Sequence, residues 1–195
     1  MNLIRPCLNL IYGPPASGKT TFCLMKLAEK RKVLFIDTEN SFSVERLKQI
    51  SPSIDMETIS LIKVSSFKKQ YDAISLLEKT KLNFDLIIVD SFNHFYRKEI
   101  QSGKDVNPFL SRQLSVLSSI SKKGVPVILT AQVYTTQNNT LMPVGGNMLK
   151  NWCPVILSLN KEPLRTAMLE KHSENINFKS HFKITEKGII LTKCA

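Results

Sequence analysis

The octapeptide GPPASGKT, Gly13 to Thr20, restricts what this chain can fold into more than any other stretch. It matches G-x-x-x-x-G-K-[ST], a loop that works only between a buried strand and a helix N-terminus, where successive backbone N–H groups can surround a phosphate. Both flanks comply. Leu8-Asn9-Leu10-Ile11-Tyr12 is a short apolar run suited to a strand. Thr20 to Lys30 has neither Gly nor Pro and carries Phe22, Leu24, Met25, Leu27 and Ala28, the broad apolar face of a buried helix. The candidate nucleotide-binding set is Gly13, Pro14, Pro15, Ala16, Ser17, Gly18, Lys19, Thr20 and Thr21. Gly13 and Gly18 permit the tight backbone path, Lys19 reaches the β- and γ-phosphates, and the Thr20 hydroxyl is a ligand for Mg²⁺. Pro14 and Pro15 stiffen the first half and remove two donors, so the donors come mainly from the second half.

Beyond the loop, short apolar runs alternate with helical stretches, which predicts an α/β fold with a largely parallel sheet flanked by helices. Strands are expected over Lys32–Asp37, Ile59–Val64, Phe84–Asp90, Val125–Thr130, Pro154–Leu159 and Leu164–Glu170, and helices over Ser43–Ile50, Ser66–Lys81 and from Leu110 to Gly124. Phe182–Ile184 and Ile189–Thr192 flank Glu186-Lys187-Gly188, a closing antiparallel hairpin. Asn93 to Asn107 reads as a polar stretch, and Tyr134 to Asn147, poor in charge and rich in turn formers, as a mobile loop. No repeat, linker or low-complexity block interrupts residues 1–195, so one domain is expected.

Three further residues bear on chemistry at the strand ends. Asp90 closes LIIVD, where an acid either holds Mg²⁺ or caps a turn; beside a phosphate loop the metal role is favoured. Glu39, in Asp37-Thr38-Glu39, is the candidate general base for an attacking water, with Asp37 a candidate for orienting the loop. Gln132 follows VPVILTA and either senses a γ-phosphate or makes turn contacts; spacing leaves both open.

Charge narrows the partners. Lysine and arginine total 27 against 16 acids, a net charge of +11, which either favours a polyanion such as DNA or reflects composition drift. Cys7, Cys23, Cys153 and Cys194 are scattered, as are the three histidines, a distribution that suits reduced thiols better than a zinc site. No apolar run is long enough to cross a bilayer, and the stretch before the first strand is too short for a signal peptide, so a cytoplasmic protein without membrane partners is expected.

GPPASGKT, VLFIDTENSFSVERLKQI, FDLIIVDS, SRQL and GVPVILTAQV together resemble the ATPase core of the RecA superfamily, in its archaeal and eukaryotic recombinase branch. MLKNWCPVILSLNK, LRTAMLEKH and FKITEKGI resemble the short archaeal members built from the core alone. The resemblance implies a RecA-type fold, ATP and Mg²⁺ as cofactors, Lys19 and Glu39 as catalytic residues, and Thr20 and Asp90 at the metal. It places Gln132 where nucleotide state is coupled to DNA. It puts Lys104 in the first DNA-binding loop, Arg112 beside it, and Tyr134 at the start of the second. Single-stranded DNA is the favoured partner, with a full-length recombinase or other recombination proteins beside it. A core without the helical N-terminal domain and the filament linker of full recombinases is expected; Ala131-Gln132-Val133 replaces Asn-Gln-Val, and the second loop has no lysine or arginine. A monomer or small homo-oligomer acting as a recombination accessory with weak ATPase activity is therefore expected, against two alternatives: a filament-forming, DNA-stimulated recombinase, or a kinase on the same core.

Overall fold

Strands buried on both faces need near-continuous apolar runs, and four such runs dominate the computed structural model, which describes residues 3–80, 83–174 and 176–192. In chain order the elements are β1 (Leu8–Tyr12), α1 (Lys19–Ala28), β2 (Val33–Asp37), α2 (Val44–Ile50), β3 (Ile59–Lys63), α3 (Phe67–Lys79), β4 (Leu86–Asp90), α4 (His94–Gln101), α5 (Asn107–Ser121), β5 (Val127–Ala131), β6 (Val133–Thr135), β7 (Leu141–Pro143), α6 (Gly146–Trp152), β8 (Val155–Asn160), β9 (Thr166–Lys171), β10 (Lys179–Thr185) and β11 (Gly188–Thr192). β1, β2, β4 and β5 are buried at every position. The nine-stranded sheet has the order β11-β10-β9-β8-β1-β5-β4-β2-β3. It is parallel from β8 to β3 and antiparallel from β8 to β11. β3, at the edge, is the half-exposed parallel strand.

One face of the sheet packs against α1 and α2 through Cys23, Leu24, Leu27 and Leu47; the other packs against α3 and α5 through Ile74, Leu77, Leu114 and Leu117. Ser43 and Ser66 cap α2 and α3 by accepting from Arg46 N and Lys69 N, the N-cap role that short hydroxyl side chains fill best. The expected end of α3, Lys81, lies outside the described residues, as does Cys194; Cys23 and Cys153 are buried free thiols. Among the described residues no helix is long and apolar enough to cross a membrane.

Two expectations are corrected. The polar stretch from Asn93 is a helix, α4, which buries only Phe95 and Tyr96 and leaves most of its surface to solvent. Tyr134 to Asn147 is not a plain loop: β6 and β7 pair as an antiparallel hairpin, and α6 begins at Gly146. Asn139 takes φ 54° at the hairpin tip, a conformation that Asn tolerates better than most residues. Thr136 N donates to Thr140 O at 2.9 Å and Asn139 N to Thr136 O at 3.0 Å, so polar side chains that read as loop formers instead close a tight turn.

Leu114 is fully buried between α5 and the sheet while Leu76, on α3, is 63% exposed. Leu114→Ala should cost about 2–5 kcal/mol of unfolding free energy and Leu76→Ala no more than about 0.5 kcal/mol, both read from urea denaturation.

Candidate nucleotide site

The parallel strands end on one edge, and the register aligns Tyr12 with Ala131 and Asp37 with Asp90. Every residue just beyond those ends is thus brought to one cleft, where open α/β sheets bind ligands. The cleft has a volume of about 660 Å³ and is lined by Gly13, Lys19, Thr20, Glu39, Asp90 and Gln132 among others, within the range of small-molecule sites.

The phosphate loop arches over the start of α1. Gly18 has φ 106° and Ala16 φ 60°; a Cβ on Gly13 would run into the carbonyl oxygen of Leu159, so only glycine fits there. Lys19 Nζ donates to Gly13 O at 2.8 Å and Pro14 O at 2.9 Å. Burial pulls the Lys19 pKa down, against the opposing attraction of Asp90 and Glu39. The first turn of α1 holds no acid, so the positive end of its dipole is left for an external anion.

Asp90 is 3% exposed. Its Oδ2 accepts from Thr20 Oγ1 at 2.6 Å and from Ser41 Oγ at 3.3 Å, and its Oδ1 accepts from Thr130 Oγ1. Burial pushes its pKa up, and the hydrogen bonds from Thr130 and Thr20 oppose that. A hydroxyl and a carboxylate in contact beside a phosphate loop are the all-oxygen donor set that Mg²⁺ takes, so these residues fit the metal.

Glu39 is held in place by its neighbour. The Asp37 carboxylate accepts from Glu39 N at 3.2 Å, Ser41 N at 3.0 Å and Phe42 N at 3.1 Å, so Asp37 orients the loop, one of the roles open to it. Glu39 Oε1 accepts from Gln132 Nε2 at 2.9 Å. Gln132 also lies 3.3 Å from His94 Nδ1, and its Oε1 accepts from Arg97 at 3.3 Å. The glutamine thus joins the Glu39 loop to α4. Burial lowers the His94 pKa, with Glu39 opposing.

The residues expected to meet DNA do not converge on a free basic surface. Lys104 pairs with Glu99 at 2.6 Å and Arg112 with Glu78 at 2.5 Å. Tyr134 is half-exposed on β6.

Four residues escaped the sequence reading. Asn93 is fully buried; its Nδ2 donates to Gln132 O at 3.0 Å and Val144 O at 2.9 Å, and its Oδ1 accepts from Gln132 N at 2.9 Å. It therefore fastens the start of α4 to both feet of the hairpin. Arg165, from the β8–β9 connection, donates to Ala16 O at 2.7 Å and lines the cleft, as does Arg97. Arg46 on α2 donates to Thr185 O at 2.6 Å and Glu186 O at 3.0 Å. Nothing local marks these residues; their long-range partners lie between 35 and 149 positions away along the chain.

Comparison with known proteins agrees with this geometry. An AAA domain family model matches residues 6–176. The chain is 39% identical to the DNA repair and recombination protein RadB of Thermococcus kodakarensis, covering 93% of this chain and 89% of that protein. It is 35% identical to RadB of Methanococcus maripaludis, covering 91% and 90%. A crystal structure of the RadB recombinase superposes with a TM-score of 0.81 at 38% identity, over 95% of this chain and 90% of that one.

A carboxyl whose folded pKa is raised binds its proton more tightly folded than unfolded, so stability rises as the pH falls through the folded value. Asp90→Asn removes the buried charge. In the absence of nucleotide and metal the variant should melt no lower than the parent at pH 7, and its advantage should shrink as the pH is lowered, measured by thermal unfolding across a pH series.

Proposed function

The chain belongs to the RadB family of DNA repair and recombination proteins, and from that premise we propose that it is a recombination accessory whose grip on DNA responds to bound MgATP and which hydrolyses ATP slowly. The observation that carries this reading is the Gln132 bridge: one side chain touches Glu39 at the nucleotide cleft and α4, and its backbone is clamped by Asn93 at the foot of the hairpin. A shift of Gln132 would therefore reach both candidate DNA elements, the Ser102–Lys104 turn after α4 and the β6–β7 hairpin.

ATP with Mg²⁺ supplies the reactive phosphoryl group and the charge that binding must neutralise. The N–H groups from Ala16 to Thr21 and the Lys19 ammonium are placed to hold the phosphates, and Thr20 and Asp90 to hold the metal. Lys19 must exchange its carbonyl partners Gly13 and Pro14 for phosphate oxygen. Gln132 engages Oε1 of Glu39, which leaves Oε2 to take a proton from water. Slow turnover suits a base whose partner is a neutral amide rather than a cation. Exposed Tyr134 and Phe109 offer rings on which unpaired bases stack, which favours single-stranded DNA at this edge. A monomer or small homo-oligomer working beside a full-length recombinase fits a core of this size.

Binding of a labelled single-stranded oligonucleotide across a salt series, with and without MgATP, tests the reading: affinity should fall steeply with salt and shift with MgATP. Gln132→Ala should bind MgATP but lose that shift. Glu39→Gln should lower hydrolysis about a hundredfold or more with nucleotide affinity retained. A nucleotide-independent isotherm would remove the coupling, and a phosphorylated small-molecule product would replace it with a kinase.

A further inference from the structure

Lys104 and Arg112 both end on carboxylates, and Tyr134 to Asn147 holds no lysine or arginine. The net charge of +11 must therefore find its surface elsewhere. Helices that follow parallel strands run back across the sheet and end where the strands begin, the edge opposite the nucleotide cleft. There the chain leaving α1 delivers Lys30, Arg31 and Lys32, α3 ends on Lys79, and α5 runs into Lys122 and Lys123.

These segments are neighbours. Val33 pairs with Leu86 and Ile87 with Val127, so β2, β4 and β5 start side by side. Asp85 N donates to Lys32 O at 2.7 Å, Asp85 Oδ2 accepts from Arg31 N at 3.2 Å and Lys32 N at 3.1 Å, and Ile87 N donates to Pro126 O at 3.1 Å. A hollow of about 220 Å³ at the same edge is lined by both Lys30 and Gly124. Two cations in that hollow are engaged, Arg5 by Glu174 and Lys26 by Glu29. Among the described residues, Lys30, Arg31, Lys32, Lys79, Lys122 and Lys123 form no ion pair. Nearby acids are few: Glu29 is taken by Lys26, Asp85 accepts two amides, and Asp55 and Glu57 flank the edge ahead of β3. One cation in the last turn complements a helix dipole; three beyond α1 and two beyond α5 exceed that need.

We propose that this edge is a second nucleic-acid surface, one that follows the phosphate backbone of a DNA duplex. The large aromatic side chains exposed among the described residues, Phe109 and Tyr134, lie with the loops of the opposite edge. Without rings to stack unpaired bases, the helix-end lysines meet only phosphates, which a duplex presents in two dense rows. The molecule then holds a single strand at the nucleotide edge and a duplex at the other. The inference rests on the DNA-binding reading above but concerns different residues and a different form of DNA.

The test is binding of a short labelled duplex by the full chain carrying Arg31→Gln, Lys122→Gln and Lys123→Gln together, across a salt series. The slope of log affinity against log salt should become shallower by about 2–3, with unchanged MgATP binding as the check on folding and unchanged MgATP response on the single strand. An unaltered duplex affinity and slope overturns the proposal. So does a parent protein that ignores duplex at low salt yet captures polyglutamate, which would make the edge a dock for acidic protein. A parent that lacks any MgATP response on the single strand, while the duplex slope still falls in the variant, sustains this surface and removes the coupling.

Discussion

The Asp90 carboxylate is the contact on which the rest of the site depends. It stands at the end of β4 and accepts hydroxyls from Thr20 on α1, Thr130 on β5 and Ser41 beyond β2. Four elements are thereby referred to one buried group. Burial alone would favour its protonated form, and three hydroxyl donors are what keep a charge there tolerable. A divalent cation at the same spot would complete that compensation and explain why an acid is spent on so dry a position.

Around this fixed point the polar side chains sort into two sets. Asp37 and Asn93 are buried and saturated with backbone partners, so they define geometry. Glu39, Gln132, His94 and Arg97 are partly open and bonded mainly to one another. Side chains of the second kind can exchange partners without exposing core or orphaning a buried amide. A responsive network mounted on a rigid one is what nucleotide sensing requires.

The parallel half of the fold was legible because its signal is local. Strands buried on both faces must be mostly apolar, as β1, β4 and β5 are apart from Asn9, Asp90 and Thr130, and a phosphate loop needs its strand and helix in sequence. α4 was hidden because it buries two aromatic residues and exposes Arg97, Lys98 and Ile100, too little contrast to read as a helical face. The hairpin was hidden because TQNNT between two three-residue strands resembles irregular chain until its turn bonds are seen. Arg165 reaches Ala16 only because β8 and β9 return beside β1, and no spacing rule records that. Gln132 was placed at the correct edge, but its partners His94 and Arg97 sit on the helix that went unread.

The hairpin has a mechanical consequence. Its strands are three residues each, roughly 10 Å long at the usual rise, and Asn93 clamps the backbone on either side of it, at Gln132 and Val144. A short ladder pinned at its root would swing as a stiff arm instead of flexing along its length. A small rotation at the root, where Gln132 sits, would be magnified at the tip, in proportion to the arm's length and in a direction set by how Asn93 grips it.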